Sequence, residues 1–235
     1  MQAPGTLGLS EELRRFVEEA PYERRTIVEF VGRAAGSLLS GARVLDVGAG
    51  DAPYRELFEH VDYVTTDWSE SPHEQAREAD VIASAERLPV EDQSFDALLF
   101  TQVLEHVADP RAVLGEAHRV LRAGGRLFVT VPLVWELHEL PYDYWRYTPA
   151  SLETLAAGAG FTDVDVQARN DCFTTLAQLM LNARHVMGRA PDGLDSRRDE
   201  AAALLEELAA RVAELAPLDV EGILPLGFSM TARRV

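Results

Sequence analysis

The sequence predicts an α/β protein built on a seven-stranded, mostly parallel sheet. Three observations lead there. Seven short apolar runs punctuate the 235 residues. Helical stretches alternate with the earlier runs, the pattern of parallel strands covered on both faces. The first run, Val44–Val47, passes straight into Gly48-Ala49-Gly50, where glycines permit a sharp turn and close approach of a ligand to the backbone.

The elements follow in order. Residues 1–9 read as a loose tail. Ser10 caps a helix through Ala20, with Glu11 and Glu12 well placed in its first turn. Pro21 opens a second helix that carries Ile27, Val31, Ala34 and Leu38 on one face and ends at Gly41. Strands are predicted at Val44–Val47, Tyr63–Thr66, Val81–Ala83, Phe95–Thr101 and Leu127–Val131. Helices are predicted at Pro53–Glu59, with proline in its first turn, and at Pro110–Leu121, with Asp109 as cap and Gly124 as stop. Thr148-Pro149 starts another helix, through Ala157, ended by Gly158 and Gly160. Phe161–Ala168 and Phe228–Arg234 are the last two strands. Helical stretches Thr174–Met187 and Ser196–Leu215 lie between them, so a tight hairpin is impossible. Each is too apolar to stand alone, and the pair reads as an insertion over the sheet's end. The expected organisation is an N-terminal helical cap (1–40), a core (41–170), the helical insertion (171–222) and a final strand (223–235).

Composition narrows the function classes. With 22 basic and 39 acidic residues the net charge is −17, which argues against nucleic acid, a partner bound through clustered Lys and Arg. All 22 basic residues are arginine, so no lysine Schiff base or lysine general base is available. The one cysteine, Cys172, excludes an intramolecular disulfide and fits a reducing compartment. No secretory leader is visible, and no apolar run approaches the roughly 18 residues of a membrane span. A cytoplasmic protein with no membrane partner is expected.

The glycine turn discriminates between ligand classes. A dinucleotide fingerprint needs a third glycine three residues after Gly50, where Pro53 stands. The pattern acid-x-Gly-x-Gly-x-small fits instead, through Asp46, Gly48, Gly50 and Ala52. Asp67, 21 residues after Asp46 and at the end of the next strand, can accept hydrogen bonds from two ribose hydroxyls. Taken with VLDVGAGDA, the segments TTDWSE (65–70), AERLPVEDQSFDALLFTQVLEHVADP (85–110) and LRAGGRLFVTVP (121–132) resemble, in order and spacing, the class I S-adenosylmethionine-dependent methyltransferases of the bacterial small-molecule group.

That resemblance implies a Rossmann-like fold with an antiparallel last strand, and S-adenosyl-L-methionine as cofactor, released as S-adenosyl-L-homocysteine. It implies a cofactor site of Asp46, Gly48, Ala49, Gly50, Asp67, Ala85, Glu86, Thr101, Gln102 and Val103. Trp68 either packs on the adenine or belongs to the core. Ser84 stands where many relatives place an Asp that reaches the adenine amine, which weakens that one contact.

The acceptor side is expected in WELHELPYDYWRYT (135–148), where five aromatics, a histidine, three acids and an arginine crowd fourteen residues. This segment resembles one in methyltransferases associated with sugar assembly. His138 is the first choice as general base and His106 the second, with Glu139 and Asp143 able to orient or deprotonate a hydroxyl. His106 can equally be a packed residue that orients its loop. Tyr144, Arg146 and Tyr147 are candidates for acceptor binding. Arg146 would hold a carboxylate or phosphate or else pair with Asp143 or Glu139, and the two tyrosines would bind or only pack the lid. Tyr22 and Arg25 are candidates to fold over the cofactor. No metal site is expected, because His138-Glu139 begins no zinc-helix motif. The expected reaction is O-methylation of a sugar or specialised metabolite. N- or C-methylation, and a non-catalytic partner subunit docking through Thr174–Met187, are the rivals. A homodimer is left open.

Overall fold

The computed structural model describes residues 8–188 and 197–235. The predicted tail (1–9) and the predicted start of the last helix at Ser196 fall wholly or partly outside the described residues.

Seven strands form one sheet in the order β3-β2-β1-β4-β5-β7-β6: β1 Arg43–Val47, β2 Asp62–Asp67, β3 Val81–Ile82, β4 Phe95–Thr101, β5 Leu121–Pro132, β6 Phe161–Arg169 and β7 Gly227–Arg234. The first five are parallel, while β7 runs antiparallel between β5 and β6. The fold is therefore Rossmann-like with an antiparallel last strand. Neighbours on the sheet divide their side chains by parity, as a two-residue repeat requires. Val44, Ala97, Leu99 and Phe128 face the N-terminal helices, and Leu45, Leu98, Phe100, Leu127 and Val129 face the other layer.

Helix α1 (Glu11–Glu19) starts at Ser10, whose Oγ accepts from Leu13 N at 3.1 Å. Helix α2 (Pro21–Gly36) buries Ile27, Val28, Phe30, Val31, Ala34 and Ala35 against the first face. Helices α3 (Pro110–Val120) and α4 (Pro149–Gly158) cover the second, each begun by a capping side chain, Asp109 and Thr148, followed by proline. The inserted helices α5 (Cys172–Gly188) and α6 (Arg198–Ala213) pack on each other, and α5 reaches back to the cap. Its buried Gln178 Oε1 accepts from Tyr22 N at 3.1 Å. This amide fills the capping role that Ala20, preceding α2, has no side chain to perform. A buried ion pair, Arg169 Nη2 to Glu23 Oε1 at 2.8 Å, ties the same cap to the end of β6. No described helix is long and apolar enough to cross a membrane.

Two elements differ from expectation. The helix predicted at Pro53–Glu59 is only a 3-10 turn, Arg55–Phe58. Gly50 and Ala52 both lie in the left-handed region, at φ 54° and 49°. The bonds that follow, Ala52 N to Ala49 O and Arg55 N to Ala52 O, close four-residue turns. Too few residues then remain before β2 to nucleate an α-helix. Strand β5 begins at Leu121, directly after α3, rather than at Leu127. Its pairing with β4 jumps from Phe95↔Leu121 to Ala97↔Arg126, and a turn through Gly124 at φ 79° absorbs the extra residues.

Candidate active site

Strand β1 pairs with β2 on one side and β4 on the other. Their carboxyl ends thus diverge at the crevice where open α/β sheets collect ligands. A cavity of about 1200 Å³ opens there, roofed by α1 and α2. A pocket for one small ligand encloses roughly 300–1,000 Å³, so this one has room for a second molecule beside the first.

The glycine loop forms one wall. Gly48 stands at φ 69°, and a Cβ there would lie 2.7 Å from Val103 Cγ2. Gly48 N and Ala49 N donate to Thr66 O at 2.8 and 3.1 Å. Gly50 N donates to Asp67 Oδ2 at 2.7 Å, and Trp68 N to Asp67 Oδ1 at 2.7 Å. Asp67 is buried yet borders the cavity. Each of its oxygens accepts one backbone N–H and keeps capacity for another donor. Trp68 adds its ring, held edge-on by Tyr142 at 4.9 Å. Ala85 and Glu86 continue the wall, and Thr101, Gln102 and Val103 close its floor. Gln102 is fixed by Thr130, through Gln102 N to Thr130 O and Gln102 Nε2 to Thr130 Oγ1, both 3.0 Å.

Asp46 is placed differently. Its carboxyl is fully buried behind the loop, accepts the Tyr63 hydroxyl, and leaves Oδ1 without a partner. Burial, opposed by the Tyr63 bond and reinforced by nearby Asp67, pushes it up to about 7. Asp46 supports the loop and does not line the cavity. In the cap, Glu23 and Arg24 border the cavity in place of Tyr22 and Arg25. Arg24 stacks on Phe16 at 4.2 Å and pairs with Glu19, whereas Arg25 points along its own helix to Glu29.

The opposite wall is the loop after β5. Trp135, His138, Glu139, Tyr142 and Tyr144 line the cavity, while Asp143, Arg146 and Tyr147 stand behind them. Arg146 forks onto Asp143 at 2.5 and 2.9 Å and donates to the carbonyls of Glu136 and Trp145. That bidentate bond dominates the forces holding Asp143 down at about 2. Asp143 also accepts His138 N at 3.1 Å. Tyr147 is buried, its hydroxyl donating to Leu104 O at 2.8 Å. In this geometry the three residues knot the loop; of the predicted acceptor groups only Tyr144 faces the space.

Where the walls meet, five titratable side chains converge. His106 Nδ1 lies 2.9 Å from Tyr142 O, and His138 Nδ1 3.1 Å from Glu136 O. Carbonyls only accept, so each Nδ1 carries a hydrogen, and in the neutral ring each Nε2 keeps its lone pair. Burial foremost holds His106 below the ordinary histidine value. Glu139 Oε2 lies 3.9 Å from His106 Nε2, and Glu139 Oε1 3.5 Å from His73 Nε2. Burial would raise Glu139, but the surrounding imidazoles outweigh it and keep this acid below its usual range. Glu105 is fully buried beneath, pushed up to about 8 mainly by that burial. Neither Glu105 nor His73 was singled out from the sequence: the first looks like an ordinary turn residue, and the second lies in a polar stretch without a motif.

Residues 45–129 match the model of the Methyltransferase domain family. Over this segment the chain carries a class I S-adenosylmethionine-dependent methyltransferase domain. This methyltransferase is 28% identical to the malonyl-[acyl-carrier protein] O-methyltransferase of Alcanivorax borkumensis, over 84% of its own length and 78% of that protein. It is 35% identical to the 27-O-demethylrifamycin SV methyltransferase of Amycolatopsis mediterranei over 49% of each chain, and so spans about half of that relative. In fold it is similar to a SAM-dependent methyltransferase from Archaeoglobus fulgidus, with a TM-score of 0.58 and 17% identity over 94% of this chain and 99% of that one.

The residues present fit S-adenosylmethionine, the cofactor of this family. Gly48 holds the loop in a conformation that side chains rarely adopt and lets Val103 of the cavity floor pack against it, Asp67 retains acceptor capacity for hydroxyls, and the acidic lining suits a cationic sulfonium. The matched segment ends at Val129. The whole loop after β5 lies beyond it.

Proposed function

We propose that this enzyme methylates a hydroxyl oxygen of a neutral small molecule, a sugar or a specialised metabolite. The observation that carries this reading is the pair of imidazoles whose Nε2 lone pairs are bare, beside an ionised Glu139 on the cavity wall. A hydroxyl must shed its proton as it is methylated, and proton acceptors of this kind contribute about 100- to 10,000-fold. Bound S-adenosylmethionine supplies an electrophilic methyl group. The glycine loop and Asp67 orient the cofactor, and His138, His106 and Glu139 receive the proton. Trp135, Tyr142 and Tyr144 offer flat apolar surface to a ring.

Charge selects a neutral acceptor. Glu12, Glu70, Glu86 and Glu139 border the cavity, and Arg146, the residue suited to an anion, is occupied by Asp143. The two O-methyltransferase relatives support the oxygen as target by their names. An amine acceptor is the second reading, favoured by the same acidic rim. Calorimetry with S-adenosylmethionine, followed by radiolabelled methyl transfer to panels of hydroxyl and amine acceptors, tests the proposal. Binding at micromolar cofactor with label on hydroxyls is expected. Label on amines alone would overturn the oxygen assignment, and no cofactor binding by folded protein would overturn the whole reading.

A further inference from the structure

The turn Leu104–His106 seals Glu105 beneath the two imidazoles. Its side chain is fully buried, and neither carboxyl oxygen has a hydrogen-bond partner. A buried polar group left so is costly, and protonating it adds a donor with no acceptor within hydrogen-bond reach. Two imidazoles stand beside it. His106 Nε2 is 4.0 Å from Glu105 Oε1, and the His106 and His138 rings meet edge to face at 4.7 Å. One nitrogen of each imidazole and one Glu105 oxygen lie within 4.8 Å of one another.

Three acceptors facing one point with no donor among them call for a cation. We propose that Glu105, His106 and His138 bind a divalent transition-metal ion at the inner end of the cavity. The surrounding contacts are those of a prepared site. Each imidazole gives its Nδ1 hydrogen to a backbone carbonyl, Tyr142 or Glu136, which fixes the tautomer and the ring and leaves Nε2 as ligand. Asp143, clamped by Arg146, holds His138 through its backbone N–H. Two nitrogens and one oxygen select zinc, cobalt, nickel or ferrous iron over magnesium or calcium, which prefer oxygen alone. With metal–ligand bonds of about 2.1 Å, donors in a tetrahedral site stand about 3.4 Å apart, so the side chains close by about an ångström on binding.

His106 and His138 border the cavity, and the remaining coordination positions therefore face the acceptor. The role of the ion rests on the methyl-transfer reading; the site itself does not. A hydroxyl on the ion ionises near neutral pH. Its proton passes to Glu139, the new C–O bond forms as the methyl C–S bond breaks, and the sulfonium departs as a neutral thioether. With the ion bound the imidazoles are ligands, and the proton-accepting role they share with Glu139 in its absence falls to Glu139 alone.

Direct binding of metal to the full chain tests this. Chelator-treated protein is titrated with zinc chloride by equilibrium dialysis, and with cobalt chloride by visible absorption. One equivalent at micromolar affinity or tighter is expected, with cobalt bands of a nitrogen–oxygen site. Glu105→Gln, nearly isosteric and free of the buried charge, and His138→Ala, on a surface loop, are each expected to weaken zinc binding at least roughly tenfold. Both should keep the parent circular dichroism and cofactor affinity. Failure of the parent to take up zinc, or uptake undiminished in both variants, would overturn the site. Cofactor binding, measured without metal, judges the methyl-transfer reading separately.

Discussion

The two ends of the cavity are built by different means. At the nucleoside end the backbone does most of the work: Gly48, Ala49 and Gly50 bond to Thr66 and Asp67 within one strand–loop–strand unit. At the proposed acceptor end side chains do it, drawn from the turn after β4, the loop after β5 and His73 between β2 and β3. A backbone site tolerates few substitutions because conformation itself is the constraint. A side-chain site can be rewritten for a new acceptor while the fold stays fixed, the usual relation of fold to function.

The largest expected effect tests how firmly the nucleoside end is underpinned. Asp46 is raised to about 7 in the folded protein, chiefly by burial, from 3.8. An acid raised on folding contributes stability below its unfolded value and loses it as pH climbs through its folded value. Between pH 5 and pH 8 this one group removes stability on the order of 3 kcal/mol. Asp46→Asn should abolish that component, so the variant gains on the parent as pH rises. Parallel slopes of stability against pH for the two proteins, measured by urea unfolding, would remove Asp46 as the cause.

Next comes the loop itself. Gly48→Ala places a methyl 2.7 Å from Val103 at φ 69°, a combination of clash and strain worth about 2–3 kcal/mol. Cofactor affinity should fall about 100-fold while zinc binding persists. Equal loss of both would mean that the two ends are not independent. The converse variant, Arg146→Ala, leaves Asp143 buried without its guanidinium partner, held by His138 alone. Breaking a fully buried pair costs roughly 3–5 kcal/mol; with Arg146 side chain 24% exposed, about 2 kcal/mol is expected. Turnover should suffer through the loop, with cofactor affinity within twofold of the parent. A selective rise in KM for anionic acceptors alone would restore Arg146 to the acceptor-binding role foreseen from sequence.

Legibility follows the same division. The seven strands, the glycine turn and Asp67 could be read because each rests on contiguous residues with a fixed spacing. The helix after the turn could not, since nothing in Ala52 announces a left-handed backbone. Arg24 rather than Arg25 reaches the cavity because neighbours on a helix point about 100° apart, and periodicity alone did not fix the rotation of α2. His138 was visible as a candidate, but its partnership with Glu105 was not. The two come from different loops, and a glutamate in a short turn gives no sign that it will be sealed from water.

The smallest effect separates two duties of one residue. Asp67 both pins the loop, through Gly50 and Trp68, and offers acceptors to hydroxyls in the cavity. Asp67→Ala loses both, and cofactor affinity should fall about tenfold or more. Asp67→Asn retains one carbonyl oxygen but turns a donor toward one of the two N–H groups it formerly accepted. If loop support dominates, Asn is as damaging as Ala, because a buried N–H faces a donor. If the hydroxyl contacts dominate, Asn falls between parent and Ala, and a 2′-deoxy cofactor analogue loses less affinity on Asp67→Asn than the parent cofactor does. Unchanged affinity in Asp67→Ala would leave the nucleoside end resting on the glycines alone, and a purely backbone site would then face a purely side-chain one.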